Sequence, residues 1–173
     1  MSRGFVKESD QEEAPFIPPR APLPPGTPNY VTPRGLAALR EELDALDAAV
    51  ARHADATDPE GRRAWGTALG KRALLADRIA TARPLTPGDV NTDEVRFGAY
   101  ATYRLGGGKP VTVQIVGVDE ADVKRRRLSF LAPLARALTG LRPGGSATLD
   151  VGGESRPIEL VAVRYDVPAA ATP

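Results

Sequence analysis

The 173-residue sequence predicts an α+β fold: an antiparallel helical hairpin, then a small antiparallel sheet carrying one short helix. Three observations lead there. Leu36, Leu39, Leu43, Leu46 and Val50 recur at steps of three and four, which aligns them on one stripe of a helix. A second run of similar length, from Pro59 to about Ala82, brings Trp65, Leu69, Ala76 and Ile79 near one face and supplies the cover that stripe needs. Beyond Asp93 the apolar period becomes two, the signature of half-buried strands.

Composition narrows the classes of function. A hydrophobic content of 42% fills modest cores, so two small units fit better than one large one. With 23 basic against 22 acidic residues no global field attracts nucleic acid or membrane, and partner choice falls to local patches. The absence of cysteine excludes a disulfide framework and thiolate chemistry, and a single His53 argues against a histidine metal site. No apolar run approaches the roughly 20 residues that span a bilayer, and the amino terminus lacks the apolar core of a signal peptide. A cytoplasmic protein with no membrane partner is expected.

The elements follow in order. Pro15, Pro18, Pro19, Pro22, Pro24, Pro25 and Pro28 remove backbone donors and favour extended chain, so residues 1–30 read as a Pro-rich disordered tail. Phe5, Phe16 and Ile17 are its candidate anchors for a partner. Thr32 followed by Pro33 starts the first helix, a hydroxyl cap before a proline at the first helical position, and Gly35 weakens that turn. Asp58, Pro59 and Glu60 repeat the start signal for the second helix after a break at residues 55–58. The hairpin is placed at 31–83, with Trp65 as part of its core. Gly66 and Gly70 mark local softness or a close backbone approach.

Turn residues Pro87, Gly88, Asp89 and Asn91, Thr92, Asp93 mark a linker over 84–94. A sheet domain is then expected over 95–166, with a short tail at 167–173. Val95, Phe97, Ala99, Ala101 and Tyr103 alternate, as do Val111, Val113 and Ile115, with Gly106, Gly107 and Gly108 between them, which predicts a hairpin. Leu128–Leu131, Ala147–Val151 and Arg156–Tyr165 are further strands, and Pro133–Leu138 is the short helix.

Two strings in this order resemble the bacterial transcript cleavage factors of the Gre type. One is Asn29, Tyr30, Val31, Thr32, Pro33, Arg34, Gly35, Leu36 leading into Leu39, Arg40, Glu41, Glu42 and Leu43. The other runs from Leu128 to Leu138 and continues through Gly140 to Arg142, Pro143, Gly144 and Gly145, with Ala132 where the family usually has serine. The resemblance covers about residues 29–166. It implies a hairpin that enters the secondary channel of RNA polymerase and an FKBP-like domain that grips the beta-prime rim of that channel. It also implies a monomeric regulator, not an enzyme, with no cofactor of its own. In such factors tip acids help hold the magnesium ion of the polymerase, which itself cuts the RNA. Here the tip offers Asp55, Asp58 and Glu60, and the family's Gly-Asp and Glu-Asn-Ala-Glu-Tyr strings are absent between Arg52 and Arg72. The hairpin is also shorter by roughly a dozen residues, about 9 Å of reach. The expectation is therefore a polymerase-binding regulator without the cleavage-stimulating tip.

Other candidates are weighed beside it. Asp58 and Glu60 are also explained by capping and the helix dipole. Leu131, Pro133, Leu134 and Arg136 form the expected partner-binding surface, although Leu134 also suits packing of the short helix. Lys124, Arg125, Arg126 and Arg127 are the densest charge run, suited to RNA, DNA or acidic polymerase surface, or to a solvated strand edge. A peptidyl-prolyl isomerase-like enzyme and a free-standing protein-interaction module are the alternative functions.

Overall fold

The computed structural model describes residues 15–86 and 93–165. Phe5, the turn residues 87–92 and the tail from 167 lie outside the described residues. Helix α1 spans Pro33–Arg52 and α2 spans Pro59–Ala80. Both start as their caps predict: Thr32 Oγ1 accepts from the Gly35 amide at 2.9 Å, and Asp58 Oδ1 accepts from the Gly61 amide at 2.8 Å. At 1.5 Å per residue the arms reach about 30 and 33 Å. Leu39 and Leu75 are buried in the seam between them, with Leu36, Leu43, Leu46 and Ile79 packed alongside.

Trp65 and Leu69 are not core, being 38% and 39% exposed. The inward positions of α2 are Ala68 and Leu75, one step round the helix from the stripe the sequence predicts. A two-helix hairpin has a single seam, so a large ring on its flank stays half in water.

Two short strands close the open end of the hairpin. Strand β1, Asn29–Val31, pairs in parallel with β2, Ala82–Pro84, neither of which is evident in the sequence. Asn29 is buried, and its Nδ2 donates to the Arg78 carbonyl at 2.8 Å and to Thr81 Oγ1 at 3.2 Å, which adds a side-chain partner to a carbonyl of the last turn of α2. Residues 15–28 hold neither helix nor strand and run as a strap along the hairpin. A methyl group on Gly70 would stand 1.7 Å from Ile17 Cδ1, and one on Gly66 would stand 3.2 Å from Pro15 Cγ. The close approach expected at these glycines is made by the chain's own amino-terminal segment.

The sheet comprises β3 (Tyr100–Leu105), β4 (Val111–Val116), β5 (Arg127–Ser129), β6 (Ser146–Val151) and β7 (Glu154–Arg164). Their spatial order is β5-β4-β3-β7-β6, antiparallel throughout except for the parallel pair β4 and β5. The strand expected from Val95 begins only at Tyr100. Gly98, at φ 85°, turns the chain there, while Val95 and Ala99 still bury their side chains. Helix α3, Pro133–Leu138, seats Ala135 and Leu138 on Ala101, Val113, Ile115, Ile158 and Leu160. Tyr165 ties the two ends of the domain, donating to the Glu94 carbonyl at 2.6 Å and accepting from the Arg96 amide at 3.0 Å.

One 3₁₀ turn, Val118–Glu120, joins hairpin and sheet. Glu120 Oε2 accepts from the Thr32 amide at 2.9 Å and the Gly117 amide at 3.2 Å, while Oε1 accepts from the Thr32 hydroxyl. The adjacent Asp119, its side chain 3% exposed, accepts from Arg20 Nε at 2.9 Å and faces Arg78 Nε at 3.4 Å. Arg20 reaches on to Glu42 at 2.8 Å, and these carboxylates raise its pKa, the Glu42 hydrogen bond foremost. Gly35 leaves room for the latch, since a methyl group there would stand 2.0 Å from Glu120 Cδ.

Alanine is ordinarily the better helix residue by about 1 kcal/mol. At Gly35 the sign reverses, because the methyl would displace a carboxylate held by three donors. Gly35→Ala is expected to lower the unfolding free energy by about 1–2 kcal/mol in urea titrations. In a Glu120→Ala background the same substitution is expected to be neutral or stabilising; a loss of equal size there would show that Glu120 is not the obstacle. Gly70→Ala is expected to unseat Ile17 and speed tryptic cleavage after Arg20 at unchanged helix content. Equal cleavage rates would place the strap elsewhere.

Candidate partner-binding site

The turn from β5 into α3 builds the predicted binding surface. Ser129 Oγ accepts from the Leu131 amide at 3.2 Å, and the Ser129 carbonyl accepts from the Ala132 amide at 2.9 Å. Ala132 occupies the cap position of α3 without a side-chain hydrogen bond, and Pro133 takes the first helical position. This turn leaves Pro133 and Arg136 exposed and Leu131 half-buried. Leu134 packs against the sheet core, so its share in a partner contact is limited to its exposed edge.

Leu131 and Arg136 border a mostly apolar cavity of about 380 Å³, together with Tyr30, Phe97, Ile115 and Phe130. Three aromatic rings form one wall. The Tyr30, Phe97 and Phe130 centroids lie 5.7 to 5.9 Å apart in tilted and edge-on arrangements, the geometry that ring quadrupoles favour. Tyr30 comes from β1 at the hairpin base and the others from the sheet domain, so the cavity sits across the joint. Sequence reading missed Tyr30 and Phe97 as parts of this site. Tyr30 stands in the first Gre-like string, and that was the available signal.

At the tip, Asp55, Asp58 and Glu60 are all exposed. Asp58 is committed to the cap of α2, and the Gly61 amide, the largest influence, holds its carboxyl below the usual range against an opposing desolvation. Glu60 lies in the first turn of α2, where the helix dipole favours an acid. Among the described residues no cluster of three His, Cys, Asp or Glu forms a metal cage. Arg125, Arg126 and Arg127 line a second cavity of about 310 Å³, whereas Lys124 is exposed on the same turn and takes no part in its wall.

Comparison with known proteins gives a consistent picture. The family profile "Transcription elongation factor, GreA/GreB, C-term" matches residues 90–165. Transcription elongation factor GreA of Methylococcus capsulatus is 36% identical over 153 residues, covering 78% of this chain and 96% of that protein. Transcription elongation factor GreB of Neisseria meningitidis serogroup A is 33% identical over 162 residues, covering 80% and 95%. A third relative, GreA of Acidiphilium cryptum, is 39% identical over 97 residues, and there the match spans 62% of the relative's length.

The Asp58 cap has a pH signature. Its carboxyl titrates lower in the folded chain than in the unfolded one, so its contribution is present above the ordinary carboxylate range and is lost as pH falls through the folded value. The Gly61 amide resonance is expected to titrate with a midpoint below that range. In Asp58→Asn, which keeps a capping oxygen, that low-pH transition should disappear while the helix start survives. A midpoint at the ordinary carboxylate value would contradict the cap.

Proposed function

The chain belongs to the GreA/GreB family of transcription elongation factors, and from that membership we propose that it binds RNA polymerase through the Leu131–Pro133 surface. The supporting observation is the apolar cavity flanked by Leu131 and Arg136, beside the exposed Pro133 and across the joint from which the hairpin projects. An apolar centre with one cation at its margin suits a partner's helix or turn that brings its own acid. In this reading the sheet domain grips the beta-prime rim of the secondary channel, and the monomer directs its hairpin into the channel. The isomerase alternative finds no support in the relatives, each of which is named an elongation factor.

The tip sets the mode of action. Asp58 is occupied at a helix start, and the arms are about 30 and 33 Å long, so this chain occupies the channel without supplying ligands to a magnesium ion. It regulates elongation by competing for the channel rather than by promoting cleavage.

Co-purification with core RNA polymerase tests the docking. Leu131→Arg and Pro133→Arg are each expected to weaken retention at least about tenfold, as buried charge at an apolar contact does. With a back-tracked elongation complex the protein is expected to slow a cleavage-competent Gre factor and to release no RNA fragment itself. RNA release that disappears in the Asp58→Asn, Glu60→Gln double variant would overturn the competitive reading. Retention unaffected by both docking substitutions would move the interface off this surface.

A further inference from the structure

The outer face of the sheet carries a row of side chains that the docking surface does not use. Across four adjacent strands Arg127 is in register with Gln114, Gln114 with Tyr100, and Tyr100 with Arg164. Neighbouring strands lie about 4.8 Å apart, so the row places a cation at each end of roughly 14 Å of sheet, with an amide and a ring between. The Arg164 guanidinium lies 4.0 Å from the Tyr100 ring centroid. Arg125 and Arg126 reach the same cavity of about 310 Å³ from the turn before β5. Four arginines thus line one depression, with no carboxylate on its wall among the described residues, in a chain whose total charge is only +1.

The turn that presents them is costly at one position. Arg126 has φ 55°, and among the described residues it is the one non-glycine residue with positive φ. Glycine or asparagine would adopt this conformation with less strain, so arginine here costs about 1 kcal/mol. Hydrogen bonds hold the turn: the Arg125 amide donates to Asp122 Oδ1 at 3.2 Å, the Arg126 amide to the Val123 carbonyl at 3.1 Å, and Asp122 and Arg127 bridge through their backbones. A strained backbone kept around a guanidinium beside three others implies a use for its charge.

We propose that this depression binds the phosphates of single-stranded nucleic acid. Guanidinium forks match phosphate oxygens bidentately, and four of them around one depression concentrate positive potential where a polyanion gains most, although Arg125 Nε also faces Asp122 Oδ2 at 3.5 Å. Among the described residues no helix or two-stranded ribbon projects from this face to enter a duplex groove, whereas an arginine-flanked sheet surface with a ring and an amide fits an extended strand. An acidic protein segment is the competing ligand. The row's order, a cation at each end with an amide and a ring between, favours a strand whose phosphates meet the ends and whose bases lie between them. The proposal does not depend on polymerase docking and is tested without polymerase.

Fluorescence anisotropy with labelled 20-nucleotide single-stranded RNA and DNA, titrated with the full chain at several salt concentrations, tests it. Binding is expected to weaken linearly in log salt, as phosphate contacts release counterions. Arg126→Gly removes the guanidinium and relieves the backbone, so it should keep the fold while weakening binding about tenfold and lowering the salt slope by about one. Arg127→Ala should act similarly, and Arg40→Ala on α1 should leave binding unchanged. Absence of binding, or equal binding by wild type and Arg126→Gly, would overturn the proposal. So would tighter binding of a poly-glutamate peptide than of either oligonucleotide, which would assign the face to an acidic protein.

Discussion

The carboxylate of Glu120 is the constraint on which the arrangement of the molecule rests. From one 3₁₀ turn of the sheet domain it accepts the amide and hydroxyl of Thr32, the residue that caps α1. The Thr32 hydroxyl donates to Glu120 and accepts from Gly35, so a single side chain both starts the hairpin and fastens it to the sheet. Asp119 next to it fastens the strap and α2 through Arg20 and Arg78. Because Asp119 is buried, removing both cations would leave its charge uncompensated, and breaking such a cluster is far more damaging than the cluster is stabilising. Hairpin base, strap and sheet are held by two consecutive acids.

This joint gives the Gre-like string at residues 29–36 a physical meaning. Asn29 closes the end of α2, Tyr30 supplies a ring to the aromatic wall, and Val31 is buried in the seam. Thr32 caps, Pro33 starts α1, and Gly35 leaves space for Glu120. The string builds a connection between hairpin and sheet, not a reactive centre. Its consequence for function is directional: a docking cavity beside the joint and a hairpin leaving from it are positioned by the same few side chains.

Features governed by neighbours in sequence were legible from the sequence. Both helix starts, the leucine seam of α1, the β3–β4 hairpin and α3 follow from caps, spacing and turn residues, and the structure shows them. Features made by distant residues were not. The parallel pairing of β1 with β2, the seat of Ile17 on Gly70, and the contact of Glu120 with Thr32 bring together residues more than 50 positions apart. The alternation from Val95 imitates a strand because Val95 and Ala99 are buried, although Gly98 turns the chain between them and β3. Trp65 misled because size suggests core, whereas a two-helix seam buries Ala68 instead. Within the candidate site the turn residues 131, 133 and 136 were legible. Their aromatic wall and the Arg127–Arg164 row were not, since only strand register assembles them.

The chain has no native cysteine, which allows spin labels to be placed at will. Electron–electron distance measurements between labels at Asp55→Cys on the hairpin tip and Thr148→Cys on β6 test most directly whether the joint fixes the hairpin to the sheet. The account predicts one narrow distance distribution that broadens when Glu120→Ala is introduced. An equally broad distribution with and without Glu120 would show that the hairpin swings freely, and the joint would then have no part in directing it.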